Sequence, residues 1–458
     1  MRDRPHPAAA QGDRGRLTPP RGSLHRRLPA ARRLRISRPI WLVAAALVAL
    51  LAWAPGAAAD VTAADVAQSA GIAQITKTWQ GSVTDINGDG RPDLYLGRHA
   101  LYTGQLFLND GDGHLTEAAA GTFTKRDRHS CAWADVNGDG LMDGYCTVGT
   151  HYGTTINPNE LWIQQPGGTF VNMAAAYAVE DAYGRGRTTT FIDVNHDAHP
   201  DLFVVNQSPR PDGIPTTNRL FMNVDGTSFR SAPEYGVDLE LGTMPGGGCA
   251  QAVDENGDGW QDLLVCTSAG VRLYRNQGGV SFEDDSTASG LSKVWKDAAL
   301  ADLSGDGRPD LVEIVKLKVA VRMGSASGVF GPLVTVATLT QGRGLAIGDA
   351  DGNGTTDVFV VQSCDPSGLD QPDFVLLNSG TAAFTRMDVP RPAVGCGDDA
   401  VAIDHDGNGT TDFVVLNGKD AVKGQVQLVS FEPVVAAGGG VRPAFTGRRQ
   451  TPAGRSFG

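Results

Sequence analysis

Seven times along the chain the string D-x-[NDS]-x-[DN]-G-x-x-D recurs, opening at Asp85, Asp135, Asp193, Asp254, Asp302, Asp349 and Asp404, with one departure in the third copy. In the first copy Asp85, Asn87, Asp89 and Asp93 stand at positions 1, 3, 5 and 9, and Gly90 at position 6 permits a sharp backbone turn. Alternate side chains then converge on one point as hard oxygen donors, and the carbonyl of position 7, here Arg91, adds another. That donor set suits Ca²⁺, whereas Mg²⁺ demands a tighter octahedron and keeps its waters. The same positions are filled by Asp135, Asn137, Asp139, Asp143; by Asp193, Asn195, Asp197, Asp201; and by Asp254, Asn256, Asp258, Asp262. Further along they are Asp302, Ser304, Asp306, Asp310; then Asp349, Asp351, Asn353, Asp357; and last Asp404, Asp406, Asn408, Asp412.

The third copy has His196 at position 4 and Ala198 at position 6. A Cβ where the backbone favours positive φ costs about 1 kcal/mol, so the Asp193 site is expected to be the weakest of up to seven. His196 and His199 read as solvated turn residues rather than zinc ligands. An EF-hand opens in the same way but needs a bidentate Glu at position 12 between two helices. Position 12 here is Leu96, Cys146, Val204, Val265, Glu313, Val360 and Val415. The runs that follow the loops, such as Leu94-Tyr95-Leu96 and Val358-Phe359-Val360-Val361, are β-formers too short for helices. The loops therefore join strands.

Spacing supplies the elements that position them. Successive loops open 50, 58, 61, 48, 47 and 55 residues apart, the period of one propeller blade rather than of separate domains. Each loop is entered by a strand of small residues, as in Ala298-Ala299-Leu300-Ala301 and Ala400-Val401-Ala402-Ile403, suited to the crowded axis. A second strand follows, then a third such as Gln105 to Asn109, Arg219 to Asn223 or Arg272 to Asn276. Gly-bearing turns lead to a fourth, typified by Ser281 to Asp284. The expected fold is all-β: a seven-bladed propeller of four-stranded antiparallel blades over 60–432. The last blade lacks its own fourth strand, and the segment Asp60 to Ala73 is expected to supply it and close the ring. Within that segment Val66 to Ile72 matches Asp285 to Leu291 of a complete blade.

The formal charge of the 458 residues is −12, which excludes a phosphate-neutralising nucleic-acid binder. The acid is concentrated: residues 1–59 carry +9 and 433–458 carry +4, leaving −25 on the propeller. Ile40 to Ala54 is an uncharged apolar run preceded by Arg32, Arg33, Arg35 and Arg38 and followed by Ala57-Ala58-Ala59, the pattern of a secretory signal cut after Ala59. At 15 residues it is short for a membrane span, though an uncleaved anchor is the alternative. Residues 433–458 read as a flexible Gly/Arg-rich tail. The expected location is extracellular or at the cell surface, and the expected state a monomer.

The six Cys suit an oxidising compartment. Cys131 and Cys146, and Cys249 and Cys266, have the constant index sum of facing positions across an antiparallel hairpin. Cys364 and Cys396 then pair by elimination, with free buried thiols as the alternative. Of the N-glycosylation sequons, Asn353 and Asn408 are ligand positions, which leaves Asn206 as the acceptor.

On these repeats the chain resembles the FG-GAP/VCBS family, the calcium-loop repeats of integrin α-subunit propellers and of many secreted bacterial proteins. The resemblance covers about 60 to 432 and implies Ca²⁺ loops on one face and ligand contact on the other. Relatives include adhesion proteins, lectins and polysaccharide-degrading enzymes. Trp79, His129, Arg187, Lys296, Arg343 and Asp398 stand six residues before their loops, where inner strands begin, and could ring the channel mouth to hold an anionic glycan. No G-x-S-x-G, H-E-x-x-H or P-loop string occurs, and no catalytic residue is assigned. The leading reading is a secreted calcium-binding propeller for a glycan or extracellular protein partner. A polysaccharide lyase using His129 is the enzyme alternative, and a purely structural surface protein the third reading.

Overall fold

The apolar runs flanking each acidic loop become the first two strands of a blade. The computed structural model describes residues 61–99, 102–149, 156–210, 212–239, 249–267, 270–291, 297–418 and 423–433. The leader, Lys296 and the tail beyond 433 lie outside the described residues. Six four-stranded antiparallel sheets follow in chain order: blade 1 (81–118), blade 2 (128–172), blade 3 (186–231), blade 4 (250–284), blade 5 (298–338) and blade 6 (342–388). Blade 7 is built from Asp399–Ile403, Asp412–Leu416 and Gly424–Pro433, with Val61–Asp65 paired antiparallel on its outer side. A two-residue strand, Ile75–Thr76, also pairs with the start of Gly424–Pro433. The one helical element described is the short 3₁₀ turn Pro233–Tyr235.

Register is the same in all blades. The closing aspartate of each loop faces the residue just before its opening aspartate: Thr84 with Asp93, Ala134 with Asp143, Ile192 with Asp201, Val253 with Asp262, Ala301 with Asp310, Gly348 with Asp357 and Ile403 with Asp412. The loop is thus the connection of the innermost hairpin, presented at one end of the blade.

Each sheet is covered on both sides, so its second strand is buried nearly throughout instead of alternating. Leu202, Phe203, Val204 and Val205 are all buried, as are Val358, Phe359, Val360 and Val361. The core is correspondingly divided among the gaps between blades. One cluster packs Phe203 and Leu220 of blade 3 against Leu263 and Tyr274 of blade 4. Another joins Leu94 and Phe107 of blade 1 to Val414 and Leu428 of blade 7, so packing runs around the whole circle. Innermost strands of consecutive blades touch in the same cycle. The likeness of 66–72 to 285–291 reappears as one turn made twice, with Ile72 N donating to Ala67 O (3.0 Å) and Leu291 N to Ser286 O (3.0 Å).

All six cysteines are paired. Cys131–Cys146 and Cys249–Cys266 cross the inner hairpins of blades 2 and 4 in register, and Cys364–Cys396 ties the end of the second strand of blade 6 to the start of blade 7.

The loop backbone explains the glycines. Position 6 has positive φ in each loop, as at Gly90 (83°) and Gly140 (82°), and so does position 4, as at Gly88 (74°) and Gly138 (73°). The third loop holds both conformations without glycine, at His196 (58°) and Ala198 (66°). Ala198→Gly is therefore expected to raise the stability of the fold by about 1 kcal/mol, and Gly140→Ala to lower it by a similar amount, in equilibrium unfolding. Removing residues up to Asp65 exposes the edge of Gly424–Pro433 and strips Val61 and Ala63 from the gap between blades 6 and 7. That truncation is expected to lower the melting temperature by several degrees and to cause concentration-dependent association, read by light scattering.

Candidate metal loops and the opposite face

Each loop folds back on its own carboxylates. In the first, Asp85 Oδ1 accepts from Asp89 N (3.0 Å) and its Oδ2 from Gly90 N (2.6 Å), while Asn87 Oδ1 also accepts from Asp89 N (3.0 Å). These bonds hold positions 1, 3 and 5 around a common centre. Positions 1 and 5 are tied in the same way by Asp135 with Asp139 (3.1 Å), Asp254 with Asp258 (3.1 Å) and Asp349 with Asn353 (3.0 Å).

Position 9 has an additional job that spacing alone did not reveal. Its side chain is buried in all seven loops. One oxygen accepts from the N–H of position 2: Asp93 from Ile86 (2.8 Å), Asp143 from Val136 (3.1 Å), Asp201 from Val194 (3.0 Å), Asp262 from Glu255 (3.1 Å), Asp310 from Leu303 (3.0 Å), Asp357 from Ala350 (2.7 Å) and Asp412 from His405 (3.2 Å). The other oxygen accepts from the far end of the third strand, at Asn109 N (2.8 Å), Gln164 N (2.8 Å), Asn223 N (2.7 Å), Asn276 N (2.9 Å), Gly324 N (2.7 Å), Asn378 N (2.7 Å) and Phe431 N (3.2 Å).

Four of those third strands end in Asn, a recurrence visible in the sequence whose role was missed. The amide reaches the preceding blade's loop: Asn109 Nδ2 donates to Asp404 O (3.3 Å), Asn223 Nδ2 to Val136 O (2.9 Å), Asn276 Nδ2 to Val194 O (2.9 Å) and Asn378 Nδ2 to Leu303 O (2.8 Å). Neighbouring loops are thereby braced against each other.

The electrostatics of the loops favour a cation. Burial pushes Asp93 up to about 6, Asp143, Asp201 and Asp262 to about 7 and Asp357 to about 8. Backbone donors oppose that rise and the neighbouring loop carboxylates add to it. Asp349, Asp351 and Asp357 bring one oxygen each within 4.8 Å of one another. In the seventh loop Asp404 Oδ1 is buried without a hydrogen-bond partner. Burial, then Asp412, holds Asp404 above the ordinary carboxylate range. His405 Nδ1 sits against Asp412 Oδ2, and although burial opposes it, that contact raises the imidazole above its usual value.

Among the described residues, those six positions before the loops do not form one ring of cations. Trp79, His129 and Arg187 come together: the His129 ring stacks on Trp79 at 4.3 Å, and the Arg187 guanidinium lies 5.9 Å from the same ring. Arg187 also donates to Gln207 Oε1 (2.7 Å) and to His129 Nδ1. Arg343 and Asp398 instead form an ion pair with each other (2.5 Å).

Two side chains outside the sequence-derived set, His99 and Asp127, complete the first group. His99 Nε2 lies 3.2 Å and His129 Nε2 3.5 Å from Asp127 Oδ1. Those edges match a tetrahedron of ligands at about 2.0–2.1 Å. A metal-bound imidazole, however, donates its other N–H to an acceptor, whereas the second nitrogen of His129 faces a guanidinium. The group fits a buried hydrogen-bonded network better than a metal centre. Burial, then Arg187, drives His129 down to about 3, so it is neutral, and both ring nitrogens are engaged.

Asn206, the sequon left open for a glycan, is buried, and its amide donates to Asp181 Oδ2 (2.6 Å) and Thr217 O (2.9 Å). The folded chain offers no room for a sugar there, which corrects the sequence expectation.

Comparison with known proteins bears on the repeats. No curated protein matches the chain. Among solved structures, one described as the basis of specific recognition of non-reducing terminal N-acetylglucosamine by an Agrocybe aegerita lectin aligns at 17% identity over 80% of this chain and 97% of its own, with a TM-score of 0.49. A luciferin-regenerating enzyme aligns at 9% identity over 81% of this chain and 95% of its own, with a TM-score of 0.38. The FG-GAP-like repeat profile matches residues 69–146 and 254–313, each taking in two whole acidic loops and the strands between them. With that match and seven four-stranded blades built on one loop, the chain is an FG-GAP-like repeat β-propeller.

Proposed function

We propose that this chain is an exported binding propeller whose blades are locked by calcium, presenting a rigid surface to a glycan or extracellular protein partner. The observation that carries the calcium reading is the seventh loop, where a buried carboxylate oxygen of Asp404 lacks any hydrogen-bond partner amid Asp406, Asn408 and Asp412. Positions 1, 3, 5 and 9 of each loop, with the carbonyl of position 7, would hold the ion. Bound Ca²⁺ would neutralise the loop carboxylates and fix the hairpin end. The residues themselves exclude softer metals, since the donors are carboxylates, amides and one hydroxyl at Ser304.

Export is supported by the three disulfides, which persist in oxidising compartments, together with the Arg-flanked apolar run of the leader. Among the described residues no helix is long and apolar enough to cross a membrane. A lyase centred on His129 gains no support, because its two nitrogens are bound to Arg187 and Asp127 and its ring is buried.

Ca²⁺ binds the folded loops and not the unfolded chain, so chelation with EDTA is expected to lower the melting temperature by several degrees, and an unchanged melt would count against calcium. The pH dependence has a definite sign. Five of the position 9 carboxylates, Asp93, Asp143, Asp201, Asp262 and Asp357, titrate higher folded than unfolded, at about 6 to 8 against 3.8, so the metal-free protein binds more protons than its unfolded chain between those values. Its stability must fall as pH rises through that window. The gap in melting temperature between calcium-loaded and chelated protein is therefore expected to widen from about pH 5 to about pH 8.

A further inference from the structure

Blade 4 departs from the repeat at the place where a cavity opens. At position 2 the loops carry Ile86, Val136, Val194, Leu303 and Ala350, with His405 in the seventh, but blade 4 has Glu255. The residue before the one that bonds the loop aspartate is Leu108, Ile163, Met222, Met323 and Leu377 in five blades, and Arg275 in blade 4. Arg275 Nη2 pairs with Glu255 Oε2 (2.9 Å) and its Nη1 with Asp285 Oδ2 (2.5 Å), and it also reaches Gly328 O in blade 5. Its Nε is buried without a hydrogen-bond partner. At these two positions a charged network thus replaces apolar packing.

The third loop's departure converges on the same spot. The His196 ring, carried on a left-handed backbone, stacks on Trp260 of the fourth loop at 3.9 Å and 6°. Gly279 keeps the turn clear on another side, since a Cβ there would come within 2.9 Å of the indole. Trp260 is thereby held as one wall of a cavity of 480 Å³, whose remaining lining includes Asp258, Arg275, Gln277, Glu283 and Asp285.

We propose that this cavity is a subsite for a neutral saccharide, a mono- or disaccharide unit of a glycan. Its volume is that of a small-ligand site, of the order of 300–1,000 Å³. Carboxylates, an amide and a guanidinium supply both partners that vicinal hydroxyls need, in a lining that is mostly polar and walled on one side by the Trp260 edge. With Asp258 committed to the fourth loop's cation, Glu283 and Asp285 remain beside one guanidinium that already serves Glu255 and Asp285, so no cation is left over for a uronate. The subsite deepens, and rests on, the glycan-binding reading above. Because Asp258 is loop position 5 and accepts from Trp260 N (2.8 Å), the wall depends on the order of the fourth calcium loop.

The test is an array of neutral and uronate-bearing oligosaccharides probed with the disulfide-intact protein in Ca²⁺, followed by titration of the best neutral hit by tryptophan fluorescence. Glu283→Ala alters an exposed side chain on an outer strand and leaves the core intact; Trp260→Ala is the second variant. The expected result is a neutral hit whose affinity falls at least about tenfold in each variant, or about 1.4 kcal/mol. A neutral hit bound equally by wild type and both variants overturns the subsite while leaving glycan binding standing. Preference for the uronates overturns its neutral character, and an empty array overturns subsite and glycan reading together without touching the calcium reading.

Discussion

Everything in this propeller hangs on one buried carboxylate repeated seven times. The aspartate that closes each loop sits at the head of the second strand and accepts one N–H from its own loop and one from the third strand. It therefore fixes loop shape and blade width together. A hydrogen bond to a charged group contributes about 1.5–3 kcal/mol, and a buried acceptor left unmade costs a comparable amount, so the pair is stringent. The asparagines that end four third strands extend this brace to the preceding loop. Loop order and blade packing are consequently one system rather than two.

The same arrangement concentrates negative charge. The loops place 21 aspartates at donor positions, in a propeller whose sequence carries −25. Burial and the neighbouring loop carboxylates drive Asp143, Asp201, Asp262 and Asp357 toward neutral pH, which a bound divalent cation would reverse. On this account the acidity of the chain belongs to its loops and not to its outer surface. The described cations are largely tied down as well, Arg343 by Asp398 and Arg128 by Glu160 (2.6 Å).

Blade count, strand order and the cross-hairpin disulfides were legible because they depend on local spacing. Loop length sets the register of the inner hairpin, and register decides which cysteines face each other, as Cys131 and Cys146 do. The positive φ at Ala198 was legible for the same reason, although its companion at position 4 needed the backbone to be seen. What was not legible arises between blades. Inner-strand starts such as Arg187 and Arg343 share an offset from their loops, yet one turns back onto Trp79 and His129 of earlier blades and the other forward onto Asp398, according to what the surrounding blades present. Asn206 follows an apolar strand and reads as a surface sequon, but blade 3 buries it against Asp181. The Arg275 network is likewise invisible in any single repeat, since Gly328 comes from the next blade.

The central claim, that the repeated loops are calcium sites which lock the blades, is tested most directly by counting. Native mass spectrometry of the disulfide-intact protein, stripped with EDTA and reloaded, should show several tightly held Ca²⁺ per chain, up to seven, with the Asp193 loop the last to fill. A chain that takes up no Ca²⁺ above the level seen after unfolding would contradict the account, and would leave the buried carboxylates as purely structural pins.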